Sequence, residues 1–376
     1  MNLTCVILAA GLGKRMGSSL PKVIHPLCGK PMLSYPLDTI VRLRPKTVIV
    51  VVGKHQGEIE KALPGGDVRF VVQQEPKGTG DALLTAVKAM TNRNNDILVL
   101  NGDMPLITLH TLKKFLYRYR RNNDAVSVLS FTAGNPASYG RILRDNSGRA
   151  VGIVEEKDAT SQQKSVCEVN SGVYLMNRKG AHLLNQLTLN RKKGEYYLTD
   201  LLEIAGKHNL KTGVYCIGQE EELMGVNTRQ ELMKAETVMQ QRILRGYMER
   251  GVTFINASSV HIHHGVSIGP DTLIYPNVHL EGTTKIGTGC VIYPNVRIKN
   301  CSIGARATIK DSSLIEDSTV GHDAQIGPFA HVRPGSVIGS SARIGNFVEI
   351  KKSVIGRGTK ASHLSYLGDT VVGKNV

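Results

Sequence analysis

From Ile268 onward an aliphatic residue returns at every sixth position: Ile268, Ile274, Leu280, Ile286, Ile292 and Ile298. A one-residue slip leads to Ile303, Ile309 and Ile315, and a second to Val320, Ile326, Val332, Ile338, Ile344 and Ile350. Glycine follows the aliphatic residue repeatedly, as at Gly269, Gly287, Gly304, Gly327, Gly339 and Gly345. This is the hexapeptide repeat of a parallel β-helix, in which each aliphatic side chain points into a prism and three hexapeptides complete one coil. Composition agrees: Trp is absent, aromatics are 5% and there are 39 glycines. A solenoid needs capping or continued stacking, yet the chain stops at Val376 with the repeat still running. We read the sequence as shortened in mid-helix.

The 376 residues are enough for two domains. We place the first at 1–227, a connecting helical arm at 228–250 and the repeat at 251–376. Leu232, Ala235, Met239, Ile243 and Met248 stand close to helical spacing in the arm. Before it, strand candidates Thr4–Ala10, Thr47–Val52, Arg69–Gln73 and Ile97–Asn101 alternate with helical patterns, the clearest at Gly80–Met90. That alternation predicts a mostly parallel α/β sheet covered on both faces, with ligands at the carboxyl ends of its strands. No apolar run approaches the roughly 20 residues of a membrane span, and the N-terminal apolar stretch lacks the basic flank of a signal peptide. Cys5, Cys28, Cys167, Cys216, Cys290 and Cys301 are scattered, as expected of reduced thiols in a cytoplasmic protein. The net charge of +16 suits small anionic substrates in part. The basic cluster Lys113–Arg121 alternates with apolar positions and reads as a solvated helix face rather than an RNA site. Neither nucleic acid nor membrane is expected as a partner.

The chemistry centres on Leu8-Ala9-Ala10-Gly11-Leu12-Gly13-Lys14-Arg15-Met16, followed by Pro21-Lys22. Gly11 and Gly13 free the backbone after a buried strand for a tight turn whose N–H groups can approach phosphate oxygens. Arg15 and Lys22 add two cations to that loop. The G-x-x-x-x-G-K-[ST] spacing is absent, and Met16 stands where a dinucleotide fingerprint needs its third glycine. A plain glycine turn with solvated basic residues is the bland alternative. Gln73 and the following Gly78-Thr79 put an amide, backbone N–H groups and a hydroxyl at a helix start, which suits a polar ring or simply caps the helix. Asp103 ends an apolar strand in Gly102-Asp103, and Gly225-Val226-Asn227 offers a second oxygen far downstream; few protein oxygens plus phosphates and water is the usual Mg²⁺ arrangement.

The motif L-A-A-G-x-G-x-R-M with P-K resembles the signature of the sugar-nucleotide pyrophosphorylases. The resemblance implies a Rossmann-like nucleotidyltransferase in which Leu8, Ala9, Ala10, Gly11, Gly13 and Lys22 hold UTP. It places Arg15 and Lys22 at the reacting phosphates, Gln73, Gly78 and Thr79 at the base, and Mg²⁺ on Asp103 and Asn227. Lys14 stands where many members carry Thr or Ser, and Asn101 where some carry an aromatic residue. Tyr139-Gly140-Arg141-Ile142, Val154-Glu155-Glu156-Lys157 and Glu168–Tyr174 look like the family's sugar pocket, with Gly140, Glu155 and Asn170 at the hexose. Gly194–Asp200, with Tyr197 and Thr199, resembles the branch acting on N-acetylglucosamine 1-phosphate. The whole chain resembles the bifunctional bacterial family of N-acetylglucosamine-1-phosphate uridylyltransferase/glucosamine-1-phosphate N-acetyltransferases, whose β-helix is left-handed and trimeric. By that match His363 is the base of acetyl transfer, while Arg333, Lys351 and Tyr366 hold glucosamine 1-phosphate. An imidazole suits the task because it exchanges a proton near neutral pH. The coils that grip acetyl-CoA in the family lie after Val376, so acetyl transfer is expected of a complete parent. Two alternatives stay open: a pyrophosphorylase for another sugar nucleotide with a regulatory β-helix, and a non-catalytic scaffold of the same plan.

Overall fold

A computed structural model describes residues 2–63, 67–92, 94–190 and 194–376. Its packing divides the chain into two compact units, Met1–Pro26 with Pro31–Ala235, and Leu27–Lys30 with Glu236–Val376. The first unit is built on strands β1 (Leu3–Leu8), β2 (Thr47–Val52), β3 (Val68–Val72), β4 (Asp96–Asn101), β5 (Val126–Thr132), β6 (Arg141–Arg144), β7 (Ala150–Val154), β8 (Glu168–Met176) and β9 (Thr212–Cys216). They form one mixed sheet in the order β9-β5-β8-β4-β1-β2-β3, with the β6–β7 hairpin attached to β8. The pairs β4–β1, β1–β2 and β2–β3 are parallel, whereas β8 runs antiparallel to both β4 and β5.

Alternation along the central strands builds two cores. Leu3, Cys5 and Ile7 of β1, Val48, Val50 and Val52 of β2, and Leu98 and Leu100 of β4 face one side. Val6, Ile49, Val51, Ile97 and Val99 face the other. Helices α1 (Ser34–Val41) and α4 (Leu109–Asn122) cover the first face; α3 (Thr79–Ala89) and α5 (Asp200–Lys207) cover the second, and α2 (Gln56–Ala62) follows β2. Buried on both faces, these strands read as continuous apolar runs, as parallel strands under helices do.

The second unit consists of three seven-stranded parallel sheets, each strand pairing with one in the next coil. It is a left-handed parallel β-helix. Each aliphatic residue of the six-residue series is buried, from Ile268 to Ile350. The slips have a structural cause. Where the spacing falls to five, the corner turns on Asn300, Asp317 or Lys352 in the left-handed region (φ 53°, 42° and 45°), one residue shorter than the corners at Gly282 and Gly335. Lys352 marks a third slip, between Ile350 and Ile355. Another corner stacks Gly269, Gly287, Gly304, Gly321 and Gly339, where a Cβ would lie 2.5–2.7 Å from the next coil's backbone nitrogen. Gly327 and Gly345 belong elsewhere: Gly327 serves a turn at φ 95°.

Helix α6 (Arg229–Met248) contains the division between the units. Its C-terminal part caps the solenoid. Gln240 exchanges two hydrogen bonds of 3.1 Å with the backbone of Ile262, as a neighbouring strand would, and the Tyr247 hydroxyl donates to Val266 O. An otherwise open strand edge is thereby satisfied. Leu244 and Tyr247 enter the β-helix core, whereas Met248, expected on the apolar stripe, is exposed.

Candidate active site

Three residues distant in sequence converge at the carboxyl end of the central sheet. Lys22 Nζ donates to Asp103 Oδ2 at 2.5 Å and to Asn227 Oδ1 at 2.9 Å. Asp103 follows β4 directly. Gly102 there is pressed against Ala9, with its N–H donating to Leu8 O. Gly53, after β2, leaves space for Ala10 O on the other side. The glycine-loop residues Ala9, Ala10 and Gly11, with Lys22, line one concavity with Pro21, Gly53, Lys54 and His55. Gly13 is required twice over: its φ is +60°, and a Cβ would sit 2.8 Å from Lys22 Cβ. Arg15 follows it, exposed, on a single 3₁₀ turn.

Asn227 is held by a device the residue pattern contains but that we did not assign: Thr228-x-x-Glu231. Glu231 accepts from the N–H groups of Asn227 (2.7 Å) and Thr228 (2.9 Å), and the Thr228 hydroxyl accepts from Glu231 N. This capping box starts α6 and fixes the residue just before it. Val226 N also donates to Asp103 O, tying the two oxygen-bearing segments together. Arg229 then reaches back, donating to Met16 O and lying 3.3 Å from His25 Nδ1. His25 is buried, and burial, then the Arg229 charge, holds its pKa below the ordinary value.

The base-binding candidates occupy the next strand end. Gln73 Nε2 donates to Gly78 O (3.2 Å) and to Asp81 Oδ2 (2.7 Å), which fixes the amide and leaves Oε1 as its acceptor. Gly78, at φ 97°, lies under Tyr196, whose carbonyl would be 2.6 Å from a Cβ. The Thr79 hydroxyl accepts from Leu198 N. That hydroxyl thus anchors the 194–200 segment, whereas the start of α3, at Gly78, has no side-chain cap.

Around the sugar candidates, Asn170 N donates to Gly140 O, and Asn170 Nδ2 donates to the Tyr174 hydroxyl at 3.0 Å. Thr199 Oγ1 donates to Glu155 Oε1 at 3.1 Å. Burial pushes the Glu155 carboxyl above its ordinary pKa, and the charges of Asp200 and Asp158 add to the rise. Burial and Asp158 likewise raise the Tyr197 phenol. Arg141, not singled out from sequence, is fully buried and ion-paired to Glu156.

In the second unit, Arg333, Lys351 and Tyr366 share one sheet face in successive coils. Arg333 pairs with Glu349 at 2.8 Å, and Lys351 lies 3.6 Å from Asp369. His363 is exposed on the preceding sheet, opposite Asn346, across the Leu364–Ser365 corner. The three candidate ligands come together; His363 approaches them only around that corner.

A glycine loop and an acid–amide pair at the strand ends of a Rossmann-like sheet, followed by a hexapeptide β-helix, define a nucleotidyltransferase with a second, acyltransferase-type unit. Residues 5–166 match the family model described as MobA-like NTP transferase domain, and residues 254–355 match the GMPPB C-terminal domain. The bifunctional protein GlmU of Thermodesulfovibrio yellowstonii is 46% identical over 371 residues, covering 99% of this chain and 82% of that protein. That of Clostridioides difficile is 45% identical over 377 residues, covering 100% and 82%. A crystal structure of UDP-glucose pyrophosphorylase complexed with UDP-glucose superposes with a TM-score of 0.53 at 17% identity, over 64% of this chain and 100% of that one, a likeness of fold. The chain belongs to the GlmU family. It is a nucleotidyltransferase that makes UDP-N-acetylglucosamine by uridylyl transfer, with acetyl transfer as its second activity.

Proposed function

We propose that the first unit joins UTP to N-acetylglucosamine 1-phosphate with Mg²⁺, giving UDP-N-acetylglucosamine and pyrophosphate. The observation that carries this reading is the convergence of Asp103 and Asn227 on the Lys22 ammonium, 81 and 205 residues away in sequence. Two hard oxygens already directed at one positive charge are a donor set suited to Mg²⁺, which keeps most of its remaining ligands as phosphate and water. When bound, that ion neutralises phosphate charge. The sugar-phosphate oxygen attacks the α-phosphorus, the bond to the β-phosphate oxygen breaks, and pyrophosphate leaves. Lys22 and Arg15 offset charge on the triphosphate, and the Gly11–Gly13 turn offers backbone N–H groups to it. The chemistry is positioning plus electrostatics. Gln73 Oε1 is free to accept from the imide N–H of uracil, and Gly78 and Thr79 shape that end of the pocket. Gly140, Glu155, Asn170, Tyr197 and Thr199 form the hexose end, where buried polar groups discriminate an N-acetylated sugar.

For the second activity, His363 takes a proton from the amine of glucosamine 1-phosphate as it attacks the thioester of acetyl-CoA. Arg333 and Lys351 bind the phosphate, and Tyr366 orients the sugar. Six free cysteines among the described residues suit the cytoplasm, and β-helices of this kind form homotrimers. We assign the uridylyltransferase domain to 1–227, the arm to 228–250 and the acetyltransferase domain to 251–376. The deciding measurement is pyrophosphate release from UTP and N-acetylglucosamine 1-phosphate with Mg²⁺, beside glucose and mannose phosphates. Strong preference for the N-acetylated sugar is expected; no release with any sugar leaves only a scaffold.

A further inference from the structure

A cluster of cations with no ion pair among the described residues of the first unit lies away from the site described above. Helix α4 carries five cations and no acid between Leu109 and Asn122, apart from His110. Its apolar stripe, Leu112, Phe115, Leu116 and Tyr119, is buried in the core. Lys113, Tyr117, Arg120 and Arg121 lie three or four residues apart and are exposed together. Against this stripe the fold sets the turn after α1, where Arg42 and Arg44 flank the buried Leu43; Arg44 is held at φ 54°. The two elements enclose a concavity of about 720 Å³. Five cations border it, Leu43 and Leu116 form its apolar floor, and the Tyr117 ring, 61% exposed, stands at its side.

None of these five cations makes an ion pair among the described residues. Like charges gathered without counter-charge destabilise the fold that gathers them. The catalytic chemistry does not need them. Lys46 N donates to Leu3 O, so the Arg42–Arg44 turn lies at the amino end of β1, whereas Gly11 and Asp103 lie at the carboxyl ends. At about 3.3 Å per residue, a six-residue strand separates those edges by about 20 Å.

Where the sequence alone suggests a solvated helix face and no nucleic-acid partner, the added Arg42–Arg44 wall changes the reading: we propose that this groove binds single-stranded nucleic acid, its phosphates on Lys113, Arg120, Arg121, Arg42 and Arg44 and a base stacked on Tyr117. A cationic groove with an exposed aromatic is the arrangement that holds single strands with little sequence preference. From Lys113 to Arg121 the cations extend about 12 Å along the helix, longer than one nucleotide requires. The concave, partly apolar shape favours a strand over a flat lipid surface.

The test is fluorescence anisotropy of the whole chain with a labelled single-stranded RNA of about 12 nucleotides, between about 50 and 200 mM salt. With five phosphates neutralised, log K should fall against log[salt] with a slope of about −3.5, and Arg120→Ala/Arg121→Ala should reduce that slope by about 1.4. Tyr117→Ala should weaken binding roughly tenfold at unchanged slope, because stacking releases no counterions. Both variants should keep wild-type pyrophosphate release, which reports an intact fold and separates this proposal from the uridylyl-transfer reading. The proposal is overturned if RNA does not bind, or if both variants bind it as wild type does. Displacement by UTP as effective as by unlabelled RNA overturns it in favour of a free-nucleotide site. Equal binding of anionic vesicles with no effect of Tyr117→Ala overturns it in favour of a membrane surface.

Discussion

Lys22 owes its position to what surrounds it: Gly13, which only a residue without a Cβ can occupy at that distance, and two oxygens that hold its ammonium. In the reaction we propose, charge builds on the triphosphate as the α–β bond breaks, so a cation there acts more on the transition state than on the bound sugar. Lys22→Ala should lower kcat by about 10²–10³-fold, the scale seen for losing one preorganised charge-stabilising group, with KM for the sugar phosphate little changed. Initial-rate kinetics decide it, and an unchanged kcat removes Lys22 from the mechanism. Glu155 gives a pH prediction. Its buried carboxyl titrates above the ordinary 4.5, so the folded state favours the neutral form. Below 4.5 the group is protonated folded or unfolded; as pH rises toward the raised folded value, the unfolded chain ionises more readily and stability falls. Glu155→Gln lacks this term. Denaturant midpoints across the acid-to-neutral range should show wild type losing ground to the variant in that window, and a constant difference would refute the assignment.

At the scale of elements, the loops are fixed by helix starts and close backbone approaches. The Thr228–Glu231 box both begins α6 and immobilises Asn227. Glu231→Ala should cost about 1 kcal/mol, as losing a helix N-cap does, and should raise the Mg²⁺ concentration needed for half-maximal rate, because Asn227 loses its anchor. Thermal unfolding and a Mg²⁺ titration test the two parts separately. The turn Gly78-Thr79-Gly80 lies beneath Tyr196, with Gly80 also within 3.0 Å of Tyr196 O were a Cβ present. One segment therefore touches both the Gly78–Thr79 turn and, through Thr199, Glu155. Gln73 and Thr199 are connected by packing that no local pattern announces.

At the scale of the molecule, two kinds of core coexist. The first unit buries two faces of one sheet, while the second buries three columns of aliphatic side chains, one from each sheet, in a single core stacked coil upon coil. In a solenoid each repeat contacts only its neighbours, so damage is felt locally first. Ile309→Ala, in the middle of its column and fully buried, should cost about 2–5 kcal/mol. Hydrogen exchange should quicken first in the flanking strands Val291–Ile292 and Gln325–Ile326, with kcat for uridylyl transfer preserved. A uniform loss of protection through both units would show that they unfold as one.

The β-helix was legible because its period is a direct image of its geometry: one inward side chain per face, repeated. Two of the slips were visible; only the structure shows that they are corners shortened by one residue on Asn300 and Asp317, and it adds a third at Lys352. The glycine turn and the strand ahead of it were legible for the same reason, since close backbone approach demands glycine at fixed offsets. The tertiary structure alone decided what is brought together across distance. It set Lys22 between Asp103 and Asn227, made the end of α6 the cap of the solenoid through Gln240, and turned the basic face of α4 and the Arg42–Arg44 turn into one groove. Local sequence fixes backbone period and turn chemistry, because those depend on neighbours in the chain. Which side chains share a site depends on how strands are ordered in the sheet, and that order is a property of the packed whole.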